Sequence, residues 1–223
     1  MKKMYQMMII WSALLAVGVL IANAQYVPRT LNWAIEDGIW DDVTTANWTV
    51  SGNPASDVPQ AEDTVIITSS TDVTVDFESA ALGAASPLKW LRLGGGAGES
   101  TLLVTNQDCV LAVTGLSPQS GTQNSSLRID ANGRLRLDHG AMALITAQNW
   151  HDSFYTYNGG VLSITNATLK MGVNGHYYLG GGGSETPAIV RIGQGGVLHA
   201  EGTSADSSVT SDTTQHGKTR KDA

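Results

Sequence analysis

Short runs of alternating aliphatic and polar residues, cut by glycines, recur between residues 63 and 203. DTVIIT (63–68) and DVTVDF (72–77) come first, and in the second Val73, Val75 and Phe77 share one face of an extended strand. LRL (91–93), LRI (127–129), LRL (135–137), LKM (169–171) and VRI (190–192) each set one cation between two aliphatics. Neighbours on a strand face opposite sides, so the aliphatics are expected inward and Arg92, Arg128, Arg136, Lys170 and Arg191 outward. LLVTN (102–106) returns as LSITN (162–166), sixty residues later, and each is soon followed by another short strand. Three turns of about twenty residues fit that gap, within the range of stacked repeats. Glycine-rich corners such as LGGGAGES (93–100), NGG (158–160) and GQGG (193–196) separate the strands. The pattern predicts an all-β fold, a solenoid of parallel strands (a β-helix), over 63–203. A β-sandwich is the alternative, since it also uses many short alternating strands.

The flanks read differently. Residues 1–24 have a basic start at Lys2 and Lys3, an apolar run and an Ala22-Asn23-Ala24 site. That is the form of a secretory signal peptide, cut between Ala24 and Gln25. The run is shorter than the ~20 residues of a spanning helix, so no retained membrane span is expected. Residues 25–62 carry Trp33, Trp40 and Trp48 with Asp37, Asp41 and Asp42 between them, and read as an N-terminal cap. The end of a solenoid needs a cover, and three indoles can supply it. Residues 204–223 hold one apolar residue larger than alanine, Val209, and are expected to be a disordered tail.

Charge narrows the partners. The formal net charge is −7, and loss of Lys2 and Lys3 with the leader leaves eleven basic against twenty acidic residues, or −9. Such a chain is a poor nucleic-acid binder, because phosphate contacts need Lys and Arg. Cys109 is the only cysteine, so no disulfide forms within the chain and no Cys-rich zinc site exists. It reads as a buried thiol.

Candidate chemistry is sparse. Trp33, Trp40 and Trp48 are glycan-contact candidates as a stacking platform, against their reading as a cap. Arg92, Arg128, Lys170 and Arg191 are candidates for an outward stripe gripping an acidic glycan, against simple solvation of a strand face. Asp37, Asp41 and Asp42 are weak calcium candidates, but their spacing matches no EF-hand loop. His139 and His151 each lie beside an aspartate without a metal-binding spacing. No catalytic residue and no cofactor is expected.

The Trp- and Asp-rich opening, followed by LxLGGG, LxVTN and GGVLSITNATLKMG units, resembles a family of secreted bacterial repeat proteins. These are the autotransporter-associated β-strand and PEP-CTERM type surface proteins of planctomycetes and verrucomicrobia. The resemblance covers roughly residues 31–202. It implies a right-handed parallel β-solenoid at or outside the cell surface, usually without assigned chemistry. Such proteins often finish with a Pro-Glu-Pro motif, an apolar helix and a basic end, whereas this sequence closes on KTRKDA, as in a short or truncated member. The expectation is a non-enzymatic structural or adhesion-type protein touching polysaccharide or cell-envelope components. Self-association through solenoid ends is also expected, near Leu198. An extracellular carbohydrate-binding or polysaccharide-degrading β-helix protein is the alternative.

Overall fold

The computed structural model describes residues 26–42, 47–55, 57–78, 82–83, 86–115, 126–147, 154–172, 176–180, 186–200 and 208–211. The expected leader, with Ala24 and Gln25, lies outside the described residues, as do Trp150 and His151. Every described element is a strand.

Alternation dictates the strands, and stacking turns them into a solenoid. An opening coil holds β1 (Thr30–Trp33), β2 (Gly38–Ile39), β3 (Trp48–Val50) and β4 (Asn53–Pro54). The next contributes β5 (Thr64–Ile67) and β6 (Val73–Asp76). Four three-stranded coils follow. The first is β7 (Trp90–Leu93), β8 (Ser100–Val104) and β9 (Val110–Gly115). The second is β10 (Leu127–Ile129), β11 (Gly133–Leu137) and β12 (Met142–Ala147). The third is β13 (Phe154–Thr156), β14 (Val161–Ile164) and β15 (Thr168–Met171). The fourth is β16 (His176–Leu179), β17 (Ile189–Ile192) and β18 (Val197–Ala200), and β19 (Ser208–Ser211) follows.

Three sheets run along the stack. The first is ordered β19-β16-β13-β10-β7-β5-β1-β3-β4, the second β17-β14-β11-β8-β6-β2 and the third β18-β15-β12-β9. All neighbours pair in parallel except β1–β3 and β3–β4, which are antiparallel and finish one end of the first sheet. The fold is a parallel β-solenoid.

Register makes the core. Leu31, Val65, Leu91, Leu127, Phe154 and Tyr177 fall on one inward row of the first sheet. All six are buried. Leu102, Leu135 and Leu162 do the same in the second sheet, and Leu111, Ala143 and Leu169 in the third. The Phe154 and Tyr177 rings stack with centroids 4.4 Å apart. The Tyr177 hydroxyl shares a 3.0 Å hydrogen bond with buried Thr156 Oγ1. Burial pushes the Tyr177 pKa up. Tyr177→Phe strands the threonine hydroxyl and is expected to lower stability by about 1 kcal/mol in urea unfolding. An unchanged midpoint would show that the pair contributes nothing.

The repeat length differs from the sequence expectation. LLVTN and LSITN sit on β8 and β14 with only β11 between them, so the sixty residues make two turns, not three. A coil of about thirty residues results because each carries three strands. The strand β19 lies within the segment expected as a tail, and its register sets Val209 opposite Tyr177. The rest of 204–223 lies outside the described residues.

One corner-side carboxylate gives a pH handle. Asp138 follows β11 and accepts the backbone N–H of His139 at 2.8 Å and Arg136 Nη2 at 3.1 Å. These bonds, the backbone one first, hold its pKa below the usual carboxylate range. A depressed folded pKa means the contribution is complete above the unfolded value of about 4 and disappears as pH falls through the folded one. Asp138→Asn is therefore expected to flatten the acid limb of a stability-versus-pH curve. An unaltered limb would remove Asp138 from that account.

Candidate functional site

The three tryptophans of the opening coil lie inside. Trp33, Trp40 and Trp48 are 6 %, 0 % and 3 % exposed. They form an edge-to-face chain, with Trp33–Trp48 centroids 4.8 Å apart, Trp48–Trp40 4.9 Å and Trp40–Phe77 5.0 Å. Trp33 Nε1 donates to the Glu36 carbonyl at 2.9 Å, and Trp48 Nε1 to the Trp40 carbonyl at 3.0 Å. Edge-to-face geometry is the favoured packing of aromatic pairs and adds about 0.5–1.5 kcal/mol each beyond burial. A sugar needs an exposed ring face, and these rings spend theirs on one another and on the core.

The candidate cations do not make one stripe. Arg92 and Arg128 are register partners on β7 and β10 of the first sheet. Arg191 lies on β17 of the second, and Lys170 on β15 of the third. Alternation correctly puts all four outward, but the faces they share depend on coil length, which the sequence left irregular. Arg128 also bonds Asp130, at 2.8 Å from both Nε and Nη2.

Asp37 is held by backbone. Asp37 Oδ1 accepts the Thr74 N–H at 2.5 Å, tying the entry of β2 to β6. Asp41 and Asp42 follow Trp40 in a turn. Among the described residues no three His, Cys, Asp or Glu side chains gather as a metal site, and Asp37, Asp41 and Asp42 form none.

Sequence reasoning missed the densest polar cluster. Asp63 is fully buried. Its Oδ1 accepts Tyr26 Oη at 2.5 Å and the Arg29 backbone N–H at 2.7 Å. Its Oδ2 accepts the Gln60 N–H at 2.9 Å and Arg29 Nη2 at 3.1 Å. Arg29 Nη1 also grips Asp57. Burial opposes the guanidinium charge, yet the bonds to Asp57, Asp63 and Tyr26 outweigh it and raise the Arg29 pKa. The Tyr26 phenol, partly desolvated and held by the Asp63 carboxylate, is pushed up to about 12. Every group in the cluster has a partner, so its chemistry is to bind Tyr26 and Arg29 to the coil.

Cys109 is buried at 4 % exposure. Burial first, then Asp41, Asp108 and Glu78, push its thiol pKa up. The thiolate is the reactive species, so a soluble disulfide reagent is expected to label Cys109 only after unfolding. Fast labelling of the native protein would contradict the burial.

No protein-family model, no curated protein and no solved structure matches this chain. Fold and geometry therefore carry the functional argument.

Proposed function

We propose that this chain is a non-enzymatic structural or adhesion-type solenoid, exported and displayed at or outside the cell surface. The observation that supports it is the stack itself. Four three-stranded coils repeat in register over one buried core, and the polar clusters found beside it bond to the chain's own backbone. Such a stack presents long outward faces on a backbone whose hydrogen bonds are mostly satisfied. Its contribution is geometric: it spaces and orients surface groups.

Export rests on the leader. The mature chain is expected to begin at Gln25, one residue before Tyr26 reaches Asp63, and N-terminal sequencing of exported protein checks this. Among the described residues no helix is long and apolar enough to cross a membrane. The decisive assay incubates purified protein with acidic and neutral polysaccharides and follows chain length by viscosity. Constant viscosity is the expected result. Depolymerisation would overturn the non-enzymatic reading and favour a polysaccharide-degrading β-helix.

A further inference from the structure

The two ends of the stack are finished differently. At the first end Trp33, Trp40 and Trp48 fill the core with buried indoles. There β3 and β4 turn the edge of the first sheet antiparallel and finish it on Pro54, which has no N–H to offer. The outer edge of β9, the first strand of the third sheet, is covered as well. The Leu88 N–H donates to the Ala112 carbonyl at 2.9 Å, and the Thr114 N–H donates to the Leu88 carbonyl at 2.7 Å. Devices of this kind keep a sheet edge from pairing with another chain.

The last coil carries none of them. The second and third sheets stop at β17 and β18, and among the described residues no strand pairs with their outer edges. Neither strand holds a proline. Neither aims a charge at the core, because register sets Val190 and Ile192 in line with Leu162 and Ile164, and Leu198 in line with Leu169. One coil earlier these rows are sealed: Leu162, Ile164 and Leu169 are fully buried. In the last coil Val190 and Leu198 are only partly buried, and Ile192 is 51 % exposed. The core rows therefore reach solvent at this end, beside two open strand edges.

A cover for this end must bring aliphatic side chains and a free strand edge together. Residues 201–207 and 212–223 hold no Val, Leu, Ile, Met or aromatic residue, so they cannot extend the rows. The first end of another copy offers packed indoles and an edge finished by proline. The last coil of another copy offers both requirements, aliphatic rows and open edges. We infer that two copies of this chain join through their last coils, tail to tail, about a two-fold axis perpendicular to the solenoid axis. In that joint β17 and β18 lie against the last coil of the partner copy, and Val190, Ile192 and Leu198 are closed from water. A two-fold joint uses both open ends, so assembly stops at the dimer and no filament grows. The inference rests on the fold and not on export or display.

The test is sedimentation equilibrium of the full mature chain over a wide range of concentrations. A monomer–dimer equilibrium without larger species is expected. Ile192→Lys puts an ammonium into the apolar joint and is expected to raise the dimer dissociation constant at least about tenfold. Ile192 is already half exposed within one copy, so the coil itself is expected to tolerate the change. Ile39→Lys alters a similarly exposed isoleucine, 44 %, at the first end, and is expected to dimerise as the parent does. A second measurement locates the joint without disturbing it. Gln194, at a corner of the last coil, and Asn53, at the first end, are both exposed, whereas Cys109 is buried. Spin labels on Gln194→Cys are expected to lie closer together across the dimer than labels on Asn53→Cys. A monomer at every concentration, an open series of larger species, equal weakening by Ile39→Lys, or closer labels at Asn53 would each overturn the inference. None of these outcomes touches the non-enzymatic reading, which the viscosity assay decides separately.

Discussion

Gly94→Ala is expected to lower stability by about 4–5 kcal/mol or to abolish folding, among the largest effects a single substitution produces. Gly94 has φ +82°, where an L side chain is strained. A Cβ there would lie 2.3 Å from the Gly133 nitrogen and 2.6 Å from the Ala131 carbonyl oxygen, both backbone atoms of the next coil. No rotamer relieves that clash, so the coils themselves must separate. The adjacent residue is an internal control. Gly95 has φ +90°, but its Cβ would meet nothing nearer than Asp130 Cβ at 3.9 Å. Gly95→Ala is expected to cost only the backbone strain, about 1–2 kcal/mol. Thermal unfolding of the pair by circular dichroism separates the terms, and equal losses would show that coil contact at Gly94 is unimportant.

Asp63→Ala is expected to remove about 2–3 kcal/mol, because it leaves the Tyr26 hydroxyl and two backbone donors without their acceptor and takes one of two carboxylates from a half-buried guanidinium. Arg29 Nη2 and the N–H groups of Arg29 and Gln60 all terminate on this one carboxylate. Asp63→Asn keeps the shape and one acceptor oxygen, so it is expected to lose less than the alanine variant. Urea unfolding measures both. A loss below about 1 kcal/mol for the alanine variant would mean that water replaces the carboxylate. The damage is expected at the first coils, since each coil of a solenoid supports only its neighbours.

The parts legible in the sequence were those set by neighbours in the chain. Strand alternation put Leu91 and Leu93 inside and Arg92 outside without knowledge of the fold, because side-chain direction follows the backbone pleat. It could not say that Arg92 and Arg128 share a face while Lys170 and Arg191 do not. That depends on the number of strands per coil, and uneven corners concealed it. The same unevenness made two turns between LLVTN and LSITN look like three. The Arg29–Asp63 cluster was illegible for another reason: its members lie far apart in an opening segment that no repeat extends.

The second sheet keeps its rows aligned although the chain between one coil's last strand and the next coil's first varies widely. Eleven residues separate β9 from β10, six separate β12 from β13 and four separate β15 from β16. Strand pairing between neighbouring coils, and not the length of chain between them, sets the pitch of the stack. Natural selection then has a fixed lattice on which to lengthen, trim or rewrite one corner at a time, and kinship between such genes fades from the letters long before it fades from the shape.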